Sequence, residues 1–219
     1  MKKYFLIIIT LFISVLSFGQ NSEPETKSDN QKQSKIRLTP FFSYDINLSS
    51  DIETDDLDVY LFNYDNFNYK IGIDIEYKFN THISISSGIN YSQKDFSFNS
   101  NCLGCEPLLY DTQTNLRFIE LPLVGIYTYQ VNDFELFAQL GVINQVDVNF
   151  DYFDENVPPD NINRYNFSGK IGVGVSYPLI KKHRLFIATD YTSSITSLFK
   201  NLDYKIKTLG IRMGIQFLL

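Results

Sequence analysis

The 219-residue chain contains no tryptophan, two cysteines and two histidines. Hydrolytic triads generally use a histidine as the base, and a tetrahedral zinc site needs about four ligands. His82 and His183 fall in predicted short turns, whereas Cys102 and Cys105 fall in a predicted long connection at the other end of the molecule. Neither a histidine-dependent hydrolase nor a zinc site is therefore predicted, and we expect no cofactor.

Long apolar runs are also scarce, and the single one lies at the start. Residues 5–16 follow Lys2 and Lys3 and precede the short segment Ser17-Phe18-Gly19. A positive start, a short apolar core and a small-residue cleavage region are typical of a secretory signal peptide, which we predict over residues 1–19. No later run approaches the roughly 20 residues of a transmembrane helix, so a chain that spans a membrane must do so as a closed β-barrel.

Basic residues are fewer than acidic ones. Removal of the signal peptide takes away two of the 19 Lys and Arg and none of the 25 Asp and Glu, which changes the formal charge from −6 to −8. This acidic balance argues against nucleic acid as a partner. Residues 20–34 have no apolar residue besides Pro24 and are predicted to be a disordered periplasmic leader, which leaves 35–219 as one barrel domain.

The clearest pattern lies in residues 69–79, which alternate strictly between apolar and small or charged side chains. Ile71, Ile73 and Ile75 lie in one phase, with tyrosines near its ends. A period of two indicates a β-strand whose two faces meet different media. Aromatic residues near the ends of the apolar phase are typical of a membrane barrel, with lipid outside and a polar interior.

The alternation recurs in eight segments, which predict an all-β, eight-stranded antiparallel up-and-down transmembrane β-barrel. The segments are 35–48, 68–79, 82–98, 116–130, 134–146, 164–179, 184–195 and 205–219. Segment 116–130 is apolar in both phases, and there we expect Leu121 outside and Glu120 and Pro122 inside. We also expect Arg164 inside, and a bulge or a weak pairing point at Pro40.

Short and long connections alternate along the chain. Those near 80–81, 131–133 and 180–183 are short, and those near 49–67, 99–115, 147–163 and 196–204 are long. Short periplasmic turns and long external loops are expected of a barrel in the outer membrane of a Gram-negative bacterium. A soluble lipocalin-like barrel, the alternative, would have its apolar side chains inside. Glycines, serines and charges share one face here, which favours lipid on the other.

Two segments resemble those of a known family. Residues 116–129, LRFIELPLVGIYTY, resemble the fourth strand of the PorT-like outer-membrane β-barrel proteins of Bacteroidetes, and residues 209–217, LGIRMGIQF, resemble their last strand. Leu218 and Leu219 depart from the pattern, since such strands usually end on or next to the aromatic residue. The resemblance implies the barrel fold over 35–219. Some members are implicated in type IX secretion and gliding, but a shared fold transfers little about function.

Cys102 and Cys105 are predicted to form a local disulfide that stiffens an external loop in an oxidising compartment. The spacing also occurs in redox motifs, but no βαβ context is predicted around it. Redox or metal function and free thiols are the alternatives.

Charged residues of both signs recur in the phase that we assign to the interior. Seven of them are predicted to form a polar network in the lumen: Arg37, Lys70, Asp74, Glu76, Glu120, Lys170 and Arg212. Asp45, Lys78, Glu135 and Asp190 lie in the same phase. An eight-stranded barrel is just wide enough for side chains to fill, so paired charges of mixed sign predict a plug rather than a pore.

These observations predict a non-enzymatic outer-membrane protein with a structural or interaction role, as a partner of secretion, gliding or surface machinery. The alternatives are a small-solute transport or channel protein and, less favoured, an enzyme that uses carboxylates of its outer loops. Acidic residues crowd 51–65 and 147–160. They are either solvated or bind divalent cations that bridge to lipopolysaccharide. The expected partners are outer-membrane lipid and lipopolysaccharide or other envelope proteins, and the barrel is expected to be monomeric.

Overall fold

The computed structural model describes residues 35–48, 58–63, 68–102, 111–148, 163–180, 183–198, 200 and 205–219. The predicted signal peptide and leader, residues 1–34, lie outside the described residues, as do parts of the long connections. Nowhere in the described part of the chain is there a helix long and apolar enough to cross a membrane.

Nine β-strands make up most of the described chain. They are β1 (Ile36–Leu48), β2 (Asp58–Asn63), β3 (Asn68–Lys78), β4 (Ile83–Cys102), β5 (Asp111–Val131), β6 (Phe134–Asp147), β7 (Tyr165–Ile180), β8 (His183–Ser194) and β9 (Lys207–Leu218). Each of the eight predicted segments contains most of one strand, and β2 lies within a predicted connection.

Eight of the strands close into a barrel. β1 pairs with β3, the strands from β3 to β9 pair in chain order, and β9 returns to β1, with every pairing antiparallel. The closing seam places Phe41 opposite Gly214 and Ser43 opposite Arg212. The predicted eight-stranded antiparallel up-and-down barrel is therefore confirmed.

Three strands extend past the others at one end of the barrel. β2 pairs with residues 97–102 of β4, and residues 111–115 of β5 pair with 95–99 of β4. The predicted connections 49–67 and 99–115 were therefore too long. Their strand residues were missed because Val59–Phe62 is apolar in both phases, while the ends of β4 and β5 are mostly Asn, Ser and Thr.

The opposite end, called the turn end below, carries the short connections. Asn80 Oδ1 accepts hydrogen bonds from the backbone N–H groups of His82 and Ile83, at 2.8 and 2.7 Å. Asn132 has a φ of 53°, in the left-handed region that asparagine tolerates better than most residues. Both turns lie where the sequence predicts them. The end that carries the long connections is called the loop end.

The outward faces are apolar and the inward faces polar, as predicted. The side chains of Ile73 and Ile89 are 47% and 57% exposed, whereas Glu120 is completely buried. Pro122 is buried as well, so the predicted facing of β5 is confirmed. The prediction for Arg164 was wrong: it is exposed, because it precedes the first residue of β7 and is not held in the alternation of that strand.

Prolines interrupt three of the ladders, since proline has no N–H to donate. The β1–β9 pairing omits Pro40 and resumes in the same register, so Pro40 marks a weak pairing point without a bulge. The β4–β5 pairing omits Pro122 in the same way, and Ser87 Oγ donates to the Pro122 carbonyl at 2.8 Å. A register shift occurs between Pro178 and Ile180, where β7 meets β8.

Candidate functional site in the barrel interior

The buried side chains of this protein are mostly polar. Among the residues whose side chains are described, 31 buried residues are polar or charged and nine, besides Pro122, are hydrophobic, while many large aliphatic and aromatic side chains are exposed. A water-soluble protein buries the opposite set. The soluble lipocalin-like alternative is therefore inconsistent with the structure, and the candidate site is the charged interior.

Nearest the turn end, three basic side chains surround Glu135 of β6. Arg37 Nη2 lies 2.8 Å from Glu135 Oε1 and Lys78 Nζ lies 3.7 Å from it, while Arg184 Nε lies 3.5 Å from Oε2. Arg37 Nη1 also lies 3.9 Å from Glu76 Oε2. We call these five residues the Glu135 cluster. One carboxylate here joins basic side chains from three different strands.

In the middle of the barrel, Arg212 of β9 is the centre of a second group of polar side chains. Arg212 Nη1 donates to Asp74 Oδ2 and Nη2 donates to Gln139 Oε1, both at 2.9 Å. Arg212 Nε lies 3.2 Å from Asp190 Oδ2, and Lys170 Nζ lies 3.0 Å from the same oxygen. We call these five residues the Arg212 cluster. Two cations and two carboxylates balance each other in it.

Two aromatic rings also contact the Arg212 guanidinium. Its Cζ atom lies 5.0 Å from the ring centroid of Phe41 and 5.4 Å from that of Phe186, within the range of a cation–π contact. Phe41, Phe186 and Ala188 form a small buried apolar cluster, against which Phe137 packs. Planar guanidinium groups stack on rings in a way that an ammonium cannot, so the site is shaped for arginine.

Toward the loop end, Glu120 of β5 is the centre of a third group. Its Oε1 lies 3.0 Å from Lys94 Nζ and accepts hydrogen bonds from Ser92 Oγ and Gln145 Nε2, both at 2.7 Å. Its Oε2 lies 3.2 Å from Lys70 Nζ. We call these five residues the Glu120 cluster. Removing a carboxylate from water costs several kcal/mol, and here two cations and two hydrogen bonds offset that cost.

Small residues make room for these contacts. A Cβ atom on Gly172 would lie 2.3 Å from Asp190 Oδ1 and 2.6 Å from Gln139 Nε2. One on Gly210 would lie 2.5 Å from Asp45 Oδ1, whose other oxygen lies 3.5 Å from Lys70 Nζ. These inward glycines therefore leave room for the aspartate and glutamine side chains of neighbouring strands.

Three buried apolar side chains lie toward the loop end from the Glu120 cluster. Leu116 and Phe118 of β5 are fully buried, and Leu198, from the β8–β9 connection, is 1% exposed. That connection is held in place by Asn163, whose N–H donates to the Leu198 carbonyl at 2.8 Å and whose Nδ2 donates to the Ser197 carbonyl at 2.9 Å.

The structure places all seven predicted lumen residues inside the barrel and divides them among the three clusters. Sequence reasoning missed Lys94 and Arg184, which contact Glu120 and Glu135. Lys94 continues the inward phase of β4 two residues beyond Ser92, so extending that phase would have found it. Arg184 begins a segment whose phase is less regular. Cys102 ends β4, Cys105 lies outside the described residues, and their disulfide stays a prediction.

The described interior contains a small cavity. A cavity of about 30 Å³ lies between the Glu135 and Arg212 clusters and is lined by members of both. This is room for about two waters, whereas pockets for small organic ligands occupy hundreds of Å³. In the part of the chain that the structure covers, no three His, Cys, Asp or Glu side chains group as ligands for a metal ion.

A closed antiparallel barrel with an apolar exterior and a charged, packed interior defines a transmembrane β-barrel protein, and its surroundings are the lipid of the Gram-negative outer membrane. The family model described as outer membrane protein beta-barrel domain matches residues 17–200, and the chain belongs to that family. No curated protein matches the sequence.

Solved structures of outer-membrane barrels are similar in fold. OprG from Pseudomonas aeruginosa is 14% identical, with a TM-score of 0.54 over 84% of this chain and 96% of that one. Neisserial surface protein A is 11% identical, with a TM-score of 0.53 over 86% and 100%. AlkL, solved in DMPC lipid bilayers, is 15% identical, with a TM-score of 0.51 over 91% and 97%. At these identities the likeness concerns the fold alone.

Proposed function

We propose that this protein is a closed, non-enzymatic barrel whose role in the outer membrane is structural or interactive, as a partner of secretion, gliding or surface machinery. The observation that carries the proposal is the interior, where three successive charge clusters leave little open space. The proposed relationship to the PorT-like proteins of Bacteroidetes rests on the two strand segments described above.

The charges of the interior support the proposal that the barrel is closed to solutes. The three clusters and Asp45 together contain seven basic and six acidic side chains, and each carboxylate lies within 4 Å of at least one cation. Selectivity in channels usually comes from rings of one sign or from carbonyl oxygens. Mixed, mutually paired charges stabilise one another instead, and moving a solute past them would require breaking them.

In this proposal, recognition takes place at the loop end, where β2, β4 and β5 extend past the other strands and acidic residues are frequent in the sequence. We propose lipopolysaccharide or other envelope proteins as the partners of these loops. The Cys102–Cys105 disulfide is proposed to stiffen one of them, and the barrel is proposed to act as a monomer.

A small-solute channel is the second candidate, because the interior is polar along its length and could conduct if the clusters rearranged. A conductance measurement distinguishes the closed barrel from the channel. The full chain is refolded into detergent and its folding is checked by the difference in SDS-gel mobility between boiled and unboiled samples. It is then inserted into planar lipid bilayers.

A closed barrel gives no stepwise currents in these bilayers. Reproducible single-channel steps from samples with the folded mobility would contradict the proposal and support the channel. The positive control is a 16- to 18-stranded porin inserted into the same bilayers, because its aqueous channel shows that the assay detects conduction through a barrel.

A further inference from the structure

The surface of the loop end is positively charged where the structure describes its side chains, although the chain as a whole is acidic. Five basic side chains are exposed or half-buried there: Arg117, Arg164, Lys200, Lys205 and Lys207. We call these five residues the basic rim. The described acidic side chains of the same end, those of Asp45, Asp95 and Asp147, are buried. The basic rim is therefore the charge that the described loop end presents to its surroundings.

The basic rim lies at the height where the hydrocarbon region of the membrane ends. Arg117 continues the outward phase of β5 two residues beyond Ile119, and Lys207 stands in the same relation to Leu209 of β9. The uncharged outward positions of β5 run from Ile119 to Tyr129, which matches the roughly 9–11 residues of a transmembrane strand. The two basic side chains therefore lie at the level of the lipid headgroups.

Backbone hydrogen bonds join the segments that carry the rim. The N–H groups of residues 148 and 147, at the end of β6, donate to the carbonyls of Arg117 and Arg164, both at 2.8 Å. The Ile206 carbonyl, between two lysines of the rim, accepts from the Ser194 N–H of β8 at the same distance. Since neighbouring strands are about 4.8 Å apart, the backbones of Arg117 and Arg164 are separated by about 10 Å. The rim therefore follows consecutive strands along one side of the barrel.

Phosphate is the chemical group that fits this rim. Lipid headgroups carry their negative charge mainly on phosphate, which arginine binds through its planar fork and lysine binds as a point charge. Arg117 is held from one side, because its Nη1 atom pairs with Asp95 and donates to the Leu116 carbonyl at 3.1 Å. Its side chain is still 24% exposed, so a headgroup can reach it.

We propose that the basic rim binds the phosphate groups of lipid A, the membrane anchor of lipopolysaccharide, directly and without a bridging divalent cation. This rests on the proposed function in one respect, because the loop end must be external to meet lipid A in the outer leaflet. A lipid A with two phosphates contacts two parts of the rim at once, and each contact raises the effective concentration for the other. A phospholipid with one phosphate lacks this advantage.

Native mass spectrometry of the full chain, folded in detergent, tests the proposal through the Kd of bound lipid. The probes are a lipid A with two phosphates, the same lipid A without phosphates, and phosphatidylglycerol. EDTA is present, because divalent cations could otherwise join lipid A to the acidic residues that are frequent in 51–65 and 147–160. We expect the wild type to bind the diphosphorylated lipid A about a hundredfold more tightly than the dephosphorylated one, and more tightly than phosphatidylglycerol.

The rim variant combines Arg164→Gln, Lys205→Gln and Lys207→Gln and keeps Arg117, because Asp95 pairs with it. It should bind diphosphorylated lipid A more weakly by about fivefold for each basic residue removed, or roughly a hundredfold in all. The matched control combines Lys35→Gln, Lys181→Gln and Lys182→Gln. It removes three positive charges near the turn end and should leave the Kd unchanged.

Equal wild-type affinity for the two forms of lipid A, or for lipid A and phosphatidylglycerol, would overturn the proposal. Equal losses in the rim variant and its control would also overturn it, as would binding that appears only when Ca²⁺ replaces EDTA. If the rim variant does not reach the folded gel mobility, Lys200→Gln with Lys205→Gln replaces it, with an expected loss of about 25-fold. Failure of lipid A binding would leave the closed barrel unchallenged, whereas single-channel steps would contradict the closed barrel and leave the rim in place.

Discussion

Asp74 of β3 and Arg212 of β9 are 138 residues apart in the sequence, yet Arg212 Nη1 donates to Asp74 Oδ2 at 2.9 Å. β1 lies between the two strands and pairs with both. The contact therefore forms only when the seam between β1 and β9 has closed. It couples the charge network of the interior to the completion of the barrel.

Replacing Arg212 by methionine should strongly destabilise the barrel. Asp74 would lose its one ion-pair partner among the described residues and Asp190 would keep only Lys170. Leaving a buried charge unpaired costs about 3–5 kcal/mol. Because the chain has no tryptophan, the free energy of unfolding is best measured by urea titration in lipid vesicles with SDS-gel mobility as the readout.

The control for that experiment is Lys35→Ala, at an exposed residue of the turn end, which should change the free energy of unfolding by no more than about 0.5 kcal/mol. Equal stability of Arg212→Met and wild type would show that the Arg212 cluster makes no net contribution to the free energy of unfolding.

The pair Glu120 and Lys94 should be energetically coupled. Glu120→Gln and Lys94→Met each leave the partner charge buried, so each alone should be destabilising, while the double variant removes both charges. The cost of the double variant should fall short of the sum of the single costs by about 0.5–3 kcal/mol in a double-mutant cycle. Strict additivity would mean that the two groups do not interact.

A charge on the outer face should be costly in the middle of the barrel wall and tolerated at its edge. Ile73, in the middle of β3, and Phe79, just beyond its end, are both exposed. Ile73→Arg should lower the free energy of unfolding in lipid by about 2–4 kcal/mol, whereas Phe79→Arg should cost about 1 kcal/mol or less. Similar costs at both positions would argue against lipid on this face.

Two glycines of β7 should respond differently to alanine. A Cβ on Gly172 would collide with the Asp190 and Gln139 side chains, whereas one on Gly169 would lie 4.0 Å from the Ser193 carbonyl oxygen. Gly172→Ala should destabilise by about 1–3 kcal/mol through overpacking. Gly169→Ala should be neutral or slightly stabilising. Unfolding midpoints in urea compare the two, and the reverse order would contradict the packing described here.

The orientation of the barrel can be checked with its two cysteines. If the loop end is external, Cys102 and Cys105 should react with a membrane-impermeant maleimide on intact cells after reduction. A cysteine introduced in place of Asp133, in the β5–β6 turn at the turn end, should stay unlabelled in a variant that lacks the other two. The opposite labelling pattern would invert the orientation.

The sequence predicted most of the fold because a strand between lipid and a polar interior has two chemically different faces. The alternation of β3 identifies both faces, and the seven similar segments identify the barrel. The prediction was less accurate where this contrast weakens. Residues 58–63 and the distal ends of β4 and β5 extend past the barrel, so nothing imposes alternation on them, and Arg164 lies just before the first paired residue of its strand.

By itself, the sequence determined that Glu120, Arg212 and the other inward charges share an interior, because the parity of a residue in a strand decides its face. Only the tertiary structure decided which charge meets which. The partners of Arg212 come from β3, β6 and β8, and their meeting depends on the register and closure of the sheet. Those properties arise from pairings among residues distant in the chain, and the local sequence pattern does not determine these pairings.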